Sequence, residues 1–188
     1  MKVYFTASLR GTQYFEHYYE LIYNEIAALG HTHVDSQLFT NSRKNYYTKM
    51  QKAGHATYVA QYQKKNSAIH TADICIFDVS FESSSIGYQI ARALDLHKPT
   101  LLLYCEENYP YFFGGIYDER LLIKQYADAT IKKVLKSSIE YVYQKKDQRF
   151  NFFVTPDLLS HLDETAKKLK TTKSDYLRHL IEADRKRL

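Results

Sequence analysis

The 188-residue chain has no tryptophan and only two cysteines. Its longest apolar runs, such as TLLLYC, fall far short of the ~20 residues a membrane-spanning helix needs. Cys75 and Cys105 both sit in apolar, strand-like runs and lack metal-ligand spacing to any partner. A disulfide scaffold and a metal site are therefore not expected, and buried reduced thiols are. The sequence holds no internal repeat and no low-complexity segment. Arg10 falls where a signal peptide would still be apolar, so the expectation is a cytoplasmic protein with no membrane partner.

What is present is a long apolar complement, including 18 tyrosines and 10 phenylalanines, enough for one good core and a small appendage. The net charge of +5 is uneven. Residues 145–188 carry eleven Lys/Arg against seven Asp/Glu, and the preceding 144 residues are close to neutral. A basic C-terminal unit on a neutral domain points to a polyanion partner, although a solvated helical surface accounts for the charge equally well.

The pattern along the chain alternates strands and helices. MKVYFTA reads as a buried strand and SLRGTQ as a loop. Phe15, Tyr18, Tyr19, Ile22, Ile26 and Leu29 recur at helical spacing over residues 14–29, with Gly30 as the stop. A short strand is expected around Val34, and 42–71 reads as helix. ADICIFDVS is continuously apolar, as a strand buried on both faces would be. A helix over 86–96, a strand in TLLLYCE, a loop in NYPYFFGGIYDE, a strand over 121–126 and a helix over 127–143 follow. This order predicts an α/β fold, a flavodoxin- or Rossmann-like parallel sheet with helices on both faces.

Two loops leave strand ends where such sheets bind ligands: Ser8–Gly11 and Ser80–Gly87. Serine hydroxyls, an arginine fork and the amides of a helix N-terminus together suit a phosphate monoester. Ser8, Arg10, Gly11, Ser83, Ser84, Ser85 and Gly87 supply those parts. The alternative is that Arg10 is a surface residue and the serines only cap a helix.

YFTASLRG, then ADxxxxDV, SxxxGYxxxxA and KP before an apolar strand, resembles the nucleoside 2-deoxyribosyltransferase-like superfamily. The closest branch is the 2′-deoxynucleoside 5′-monophosphate N-glycosidases, and the resemblance covers residues 1–143. It implies a dimer with the active site near the subunit interface and a nucleoside monophosphate as ligand. It matches Tyr4 to the active-site tyrosine, Ser8, Arg10 and Gly11 to the first phosphate loop, and Ser83 to a second phosphate-binding serine. The serine lent by the neighbouring subunit falls near Phe113 or Gly114.

The departures from the family fall on its chemistry. Its nucleophile, the glutamate of GYELG, is replaced by Gln89, and its second acid aligns with Lys65, or with Asn66 one register away. Retaining glycosyl transfer needs one carboxylate to attack and a second acid to protonate the leaving base. An amide does neither, so the expectation is a nucleotide-binding pocket with impaired catalysis and no cofactor. Asp78, at its strand end, and Glu82, in the loop, are the conceivable substitute carboxylates.

At QKKDQ (144–148) the composition changes to that of a linker. Residues 149–188 read strand, helix, helix. Phe150, Phe152 and Val154 alternate with Arg149, Asn151 and Phe153. Thr155-Pro156 opens a helix with the apolar stripe Leu158, Leu159, Leu162, Ala166 and Leu169. Thr172 caps another, with Tyr176, Leu177, Leu180 and Ile181 turned inward. Forty residues with one short strand do not fold alone, whereas two copies pairing their strands would.

This segment resembles the ribbon-helix-helix DNA-binding family of the Arc and MetJ type. The resemblance implies a homodimer, or a tetramer if both domains pair, with the strand pair in the major groove of DNA. Arg149, Asn151 and Phe153 would face base edges, and Thr172, Lys173 and Ser174 would hold a backbone phosphate. Lys170 stands where that family commonly has glycine at the helix end.

Overall fold

The computed structural model describes residues 1–40, 43–105, 107–144 and 152–187. The chain divides into two units, residues 1–147 and 148–188.

Strands β1 (Lys2–Ala7), β2 (Thr32–His33), β3 (Ile74–Asp78), β4 (Thr100–Cys105) and β5 (Leu121–Tyr126) form one parallel sheet in the order β2-β1-β3-β4-β5. The expected α/β architecture is thus present. Side chains along each strand alternate between the sheet faces. Val3, Phe5, Ile74, Ile76, Leu101 and Leu103 share one core with helices α1 (Thr12–Ala28) and α7 (Ile131–Gln144), through Tyr19, Ile22, Ile26, Leu135 and Ile139. Tyr4, Cys75, Phe77 and Leu102 share the opposite core with α4 (His55–Thr71) and α5 (Ser84–Asp95), through Ile69, Ile86 and Ile90. Burial on both faces explains why β3 and β4 read as unbroken apolar runs.

Several boundaries differ from the sequence reading. The stretch 42–71 contains two helices, α3 (Arg43–Lys52) and α4, after the short α2 (Gln37–Thr40), because Ala53-Gly54 interrupts the pattern. Helix α5 begins at Ser84, two residues earlier than its apolar period, since the serines themselves form its first turn. The loop after β4 holds a single helical turn, α6 (Tyr111–Gly114). Helix α7 starts at Ile131 because Thr130 turns back on Ala127, donating from Oγ1 to its carbonyl and accepting from its amide. Lys98 of the KP pair donates to the carbonyls of His70 and Ala72, at 2.7 and 2.8 Å, closing the C-terminus of α4.

In the second unit, α8 (Pro156–Lys168) is capped by Thr155 and α9 (Lys173–Arg185) by Thr172, whose Oγ1 accepts from the amide of Asp175. Lys170 takes the left-handed conformation, φ 52°, that glycine fills more readily at such helix ends. The expected strand falls on residues 149–151, outside the described residues, and on Phe152–Val154, which pair with no strand among the described residues. Nor is the expected apolar stripe enclosed. Ala166 is buried, but Leu158, Leu169, Leu180 and Ile181 are each about half exposed or more.

The loop after β3 is anchored by Asp78, which has no solvent exposure. One carboxyl oxygen accepts from the Ser80 amide at 2.9 Å and the other from the Tyr126 hydroxyl at 2.5 Å. Burial raises its pKa to about 6, against the pull of the Tyr126 and Ser80 hydrogen bonds. The folded state therefore holds the proton more tightly than the unfolded chain. The resulting stabilisation is complete below pH 4 and is lost as pH rises through 6. We expect the stability of the protein relative to Asp78→Asn to fall by up to about 3 kcal/mol between pH 4 and pH 6.5, measured by urea denaturation. A difference independent of pH would refute this assignment.

Candidate nucleotide site

Strands β1 and β3 run in register from Val3↔Ile74 to Ala7↔Asp78, so they end level. The chain leaves β1 toward β2 on one side and leaves β3 toward β4 on the other. A crevice opens at such a reversal, beyond the carboxyl ends of the strands. Here it is a cavity of about 810 Å³, within the range that holds small ligands.

Its lining brings together the two loops singled out by sequence: Ser8 and Arg10 from the first, Glu82 and Ser83–Ser85 from the second, with Gln89 one turn further along α5. Ser8 is buried, and Arg10 is exposed with its guanidinium 5.7 Å from the ring centre of Tyr47. The Ser83 and Ser85 hydroxyls lie 3.1 Å apart at the α5 N-terminus, and no side chain caps that helix end. Amides there remain open to an anion.

Tyr4 is fully buried outside the lining, and three further expected site residues lie elsewhere. Gly11 is buried beneath the loop; a Cβ on it would stand 2.4 Å from the Tyr19 hydroxyl and 2.7 Å from Phe81 Cβ. Its role is close packing. Gly87 faces Phe113 in a neighbouring hollow. Asp78 lies below the cavity with both oxygens engaged, so it stabilises the turn and does not present a nucleophile. Glu82 is the single carboxylate among the described lining residues.

Gln89 is fixed in orientation. Its Oε1 accepts from the Tyr4 hydroxyl at 2.5 Å and its Nε2 donates to the Ser85 carbonyl at 3.0 Å. Burial, and then the charge of Asp35, push the Tyr4 pKa upward, so the phenol stays a proton donor. The sequence reading missed Asp35. Lys65 Nζ donates to its Oδ2 at 2.5 Å, Lys64 stands 3.5 Å from Oδ1, and the Gln37 amide donates to Oδ1. Burial alone would raise the Asp35 pKa, but the Lys65 hydrogen bond and charge hold it below the usual carboxylate value. Lys65 is drawn down by burial despite that partner. The position that the sequence resemblance matched to a second acid thus carries a cation with a carboxylate behind it. In the sequence Asp35 is one polar residue of VDSQLF, too common a pattern to single it out.

Tyrosines complete the walls: Tyr46 and Tyr47 from α3, Tyr62 from α4 and Tyr88 from α5, the last two joined through their hydroxyls at 2.6 Å. Among the described residues, no group of three potential metal ligands gathers.

No family model matches the chain, and no curated protein does. Among solved structures it is similar to the CMP N-glycosidase BcmB of Clostridium botulinum, at 18% identity and TM-score 0.48, covering 73% of this chain and 97% of that one.

Removing Lys65 takes the 2.5 Å partner from the buried Asp35 and leaves it the half-exposed Lys64 at 3.5 Å and the Gln37 amide. Lys65→Met is expected to lower stability by about 2–4 kcal/mol in urea denaturation, and Lys65→Met with Asp35→Asn to recover most of that loss. Additive losses in the double variant would show that the two do not act as a pair.

Proposed function

We propose that this chain is a DNA-binding regulator whose α/β unit senses a nucleoside monophosphate and lacks efficient glycosidic-bond hydrolysis. The observation that carries the reading is Gln89. It sits at the centre of a phosphate-suited cavity as a locked amide, where hydrolysis of an N-glycoside would require a carboxylate. Ser8, Arg10 and the serines at the α5 N-terminus are the groups that would take the phosphate. The tyrosine walls offer faces for a base, and Lys65 paired with Asp35 is a poor proton donor to a leaving group.

Support for the second half comes from the C-terminal unit. Its charge is net positive, its helices are capped at Thr155 and Thr172, and its apolar stripe is exposed in the single chain. A second copy would cover that stripe and pair the strands, giving a homodimer, or a tetramer if the α/β units also associate. Arg149 and Asn151 would then read base edges, with Thr172, Lys173 and Ser174 on phosphate. Phe153, fully exposed, suits contact with a thymine methyl or a sugar.

Glu82 favours a second reading, an active N-glycosidase or deoxyribosyltransferase steered to nucleic acid by its tail, because it is the one carboxylate lining the cavity among the described residues. Calorimetry with a panel of nucleoside 5′-monophosphates, paired with chromatography for released base, separates the two. We expect binding below about 1 mM, at least roughly tenfold weaker in Arg10→Ala, with no base released. Absence of binding rejects the sensor, and base release lost in Glu82→Gln establishes the enzyme.

Arg149→Ala and Asn151→Ala should each weaken specific DNA binding by about 1–3 kcal/mol while the dimer persists. Unchanged affinity in gel-shift titrations would reject reading by the strand pair.

A further inference from the structure

We propose that the serine turn at the start of α5 is the midpoint of a longer site, and that the ligand it favours is a dinucleotide. The bridging phosphodiester lies on the turn, with one nucleoside in the cavity described above and the other in the neighbouring aromatic hollow. The inference rests on the nucleotide reading above and adds the class of nucleotide.

The neighbouring hollow has a volume of about 670 Å³, again within the range that holds a small ligand. One wall is the segment after β4, with Tyr109, Tyr111, Phe112 and Phe113. This wall is folded on itself. The Tyr109 hydroxyl lies 2.5 Å from where a Cβ on Gly114 would stand, so the glycine is what admits the ring. Tyr109 and Tyr111 meet edge to face with ring centres 5.2 Å apart, and Phe112 and Phe113 do so at 5.9 Å. Tyr111 and Phe112 are nonetheless 81% and 85% exposed, which leaves ring surface open to a stacking partner.

The two cavities meet at the turn. Glu82, Ser83, Ser84 and Ile86 line both. Ser84 is exposed and Ser83 partly so, and no side chain caps the helix end that separates the cavities. The order across the surface is therefore aromatic wall, hydroxyls with an open helix N-terminus, aromatic wall. A dinucleotide has the same order: base, phosphate, base. Every base offers a face for stacking, so this arrangement selects the linked pair and not a base sequence.

Charge favours a diester on this turn. Arg10 brings one positive charge to the first cavity, and the charge of Lys65 is offset by Asp35. Glu82 sets a negative charge against both cavities, and Glu107 adds another to the second. A phosphate monoester carries close to two negative charges at neutral pH, whereas a diester carries one. The turn therefore repels a bridging phosphate less than a terminal one, and the second hollow suits an uncharged nucleoside better than a further phosphate.

The test titrates AMP and the dinucleoside monophosphate ApA into the full-length protein by calorimetry. ApA should bind at least roughly tenfold more tightly than AMP, through stacking of the second base. Tyr111→Ala and Phe112→Ala, both at exposed positions, should each shrink that ratio by weakening ApA, with the affinity for AMP unchanged. Arg10→Ala should weaken both ligands. A longer oligoadenylate identifies the source of the dinucleotide: binding as tight as ApA assigns the site to a step within a single strand, and weaker binding assigns it to the free dinucleotide. Equal affinities for AMP and ApA, each dependent on Arg10, overturn the dinucleotide and leave the nucleotide reading standing. A ratio that survives in both Tyr111→Ala and Phe112→Ala overturns the assignment of the second hollow. Failure of both ligands to bind overturns the nucleotide reading and this inference with it.

Discussion

A carboxyl group with no access to water holds the site's second loop in place. Asp78 ends β3, and its two oxygens tie down the Ser80 amide and the Tyr126 hydroxyl at the end of β5. Ser80 Oγ in turn accepts from the Cys105 amide at the end of β4, at 3.0 Å. Three strand ends are thereby joined beneath one turn. The segment from Phe81 to Ser85 is presented from a fixed base, and α5 starts at a defined place. Removing a carboxyl from water costs several kcal/mol unless hydrogen bonds or a proton compensate, and here both do. The same commitment removes Asp78 from the cavity's chemistry. A carboxylate that anchors the scaffold so completely is not free to attack an anomeric carbon.

The polar side chains of the cavity are committed to one another. Gln89 and Lys65 stand where the sequence resemblance leads one to expect a nucleophile and an acid. Each is bound to a specific neighbour, Gln89 to Tyr4 and Lys65 to Asp35. These are closed pairs, and Lys65 also sits 5.7 Å over the Tyr4 ring, which links them into one cluster. Such a cluster holds a single geometry well, which favours binding.

The architecture was legible in the sequence because its signals are local. Continuous apolar runs with period-3.6 segments between them specify a parallel sheet with covered faces, and ADICIFDVS and TLLLYC are such runs. The two loops that meet at the cavity were legible for the same reason, since they directly follow β1 and β3. What escaped notice depends on contacts between distant segments. Asp35 gains meaning only from Lys65, thirty residues later. Gly11 looked like part of a phosphate loop, yet its lack of a side chain serves the approach of Tyr19 and Phe81. The breaks between α2, α3 and α4 were blurred because this polar region has little apolar period to read.

The two units differ in how completely one chain satisfies them. The α/β unit buries both faces of its sheet, and its edges are short or polar: β2 has two residues, and β5 carries Lys124 and Gln125 outward. The C-terminal unit encloses Ala166 and leaves Leu158, Leu169, Leu180 and Ile181 in water. Leaving such side chains half exposed forgoes part of the about 1.5–3 kcal/mol that full burial of each would contribute, so covering this stripe would stabilise the unit. Any influence of a cavity ligand on that association requires different ligand affinities for the associated and separate forms. A nucleotide that bound both forms equally would fill the cavity and change nothing downstream. Regulation by ligand therefore requires differential binding.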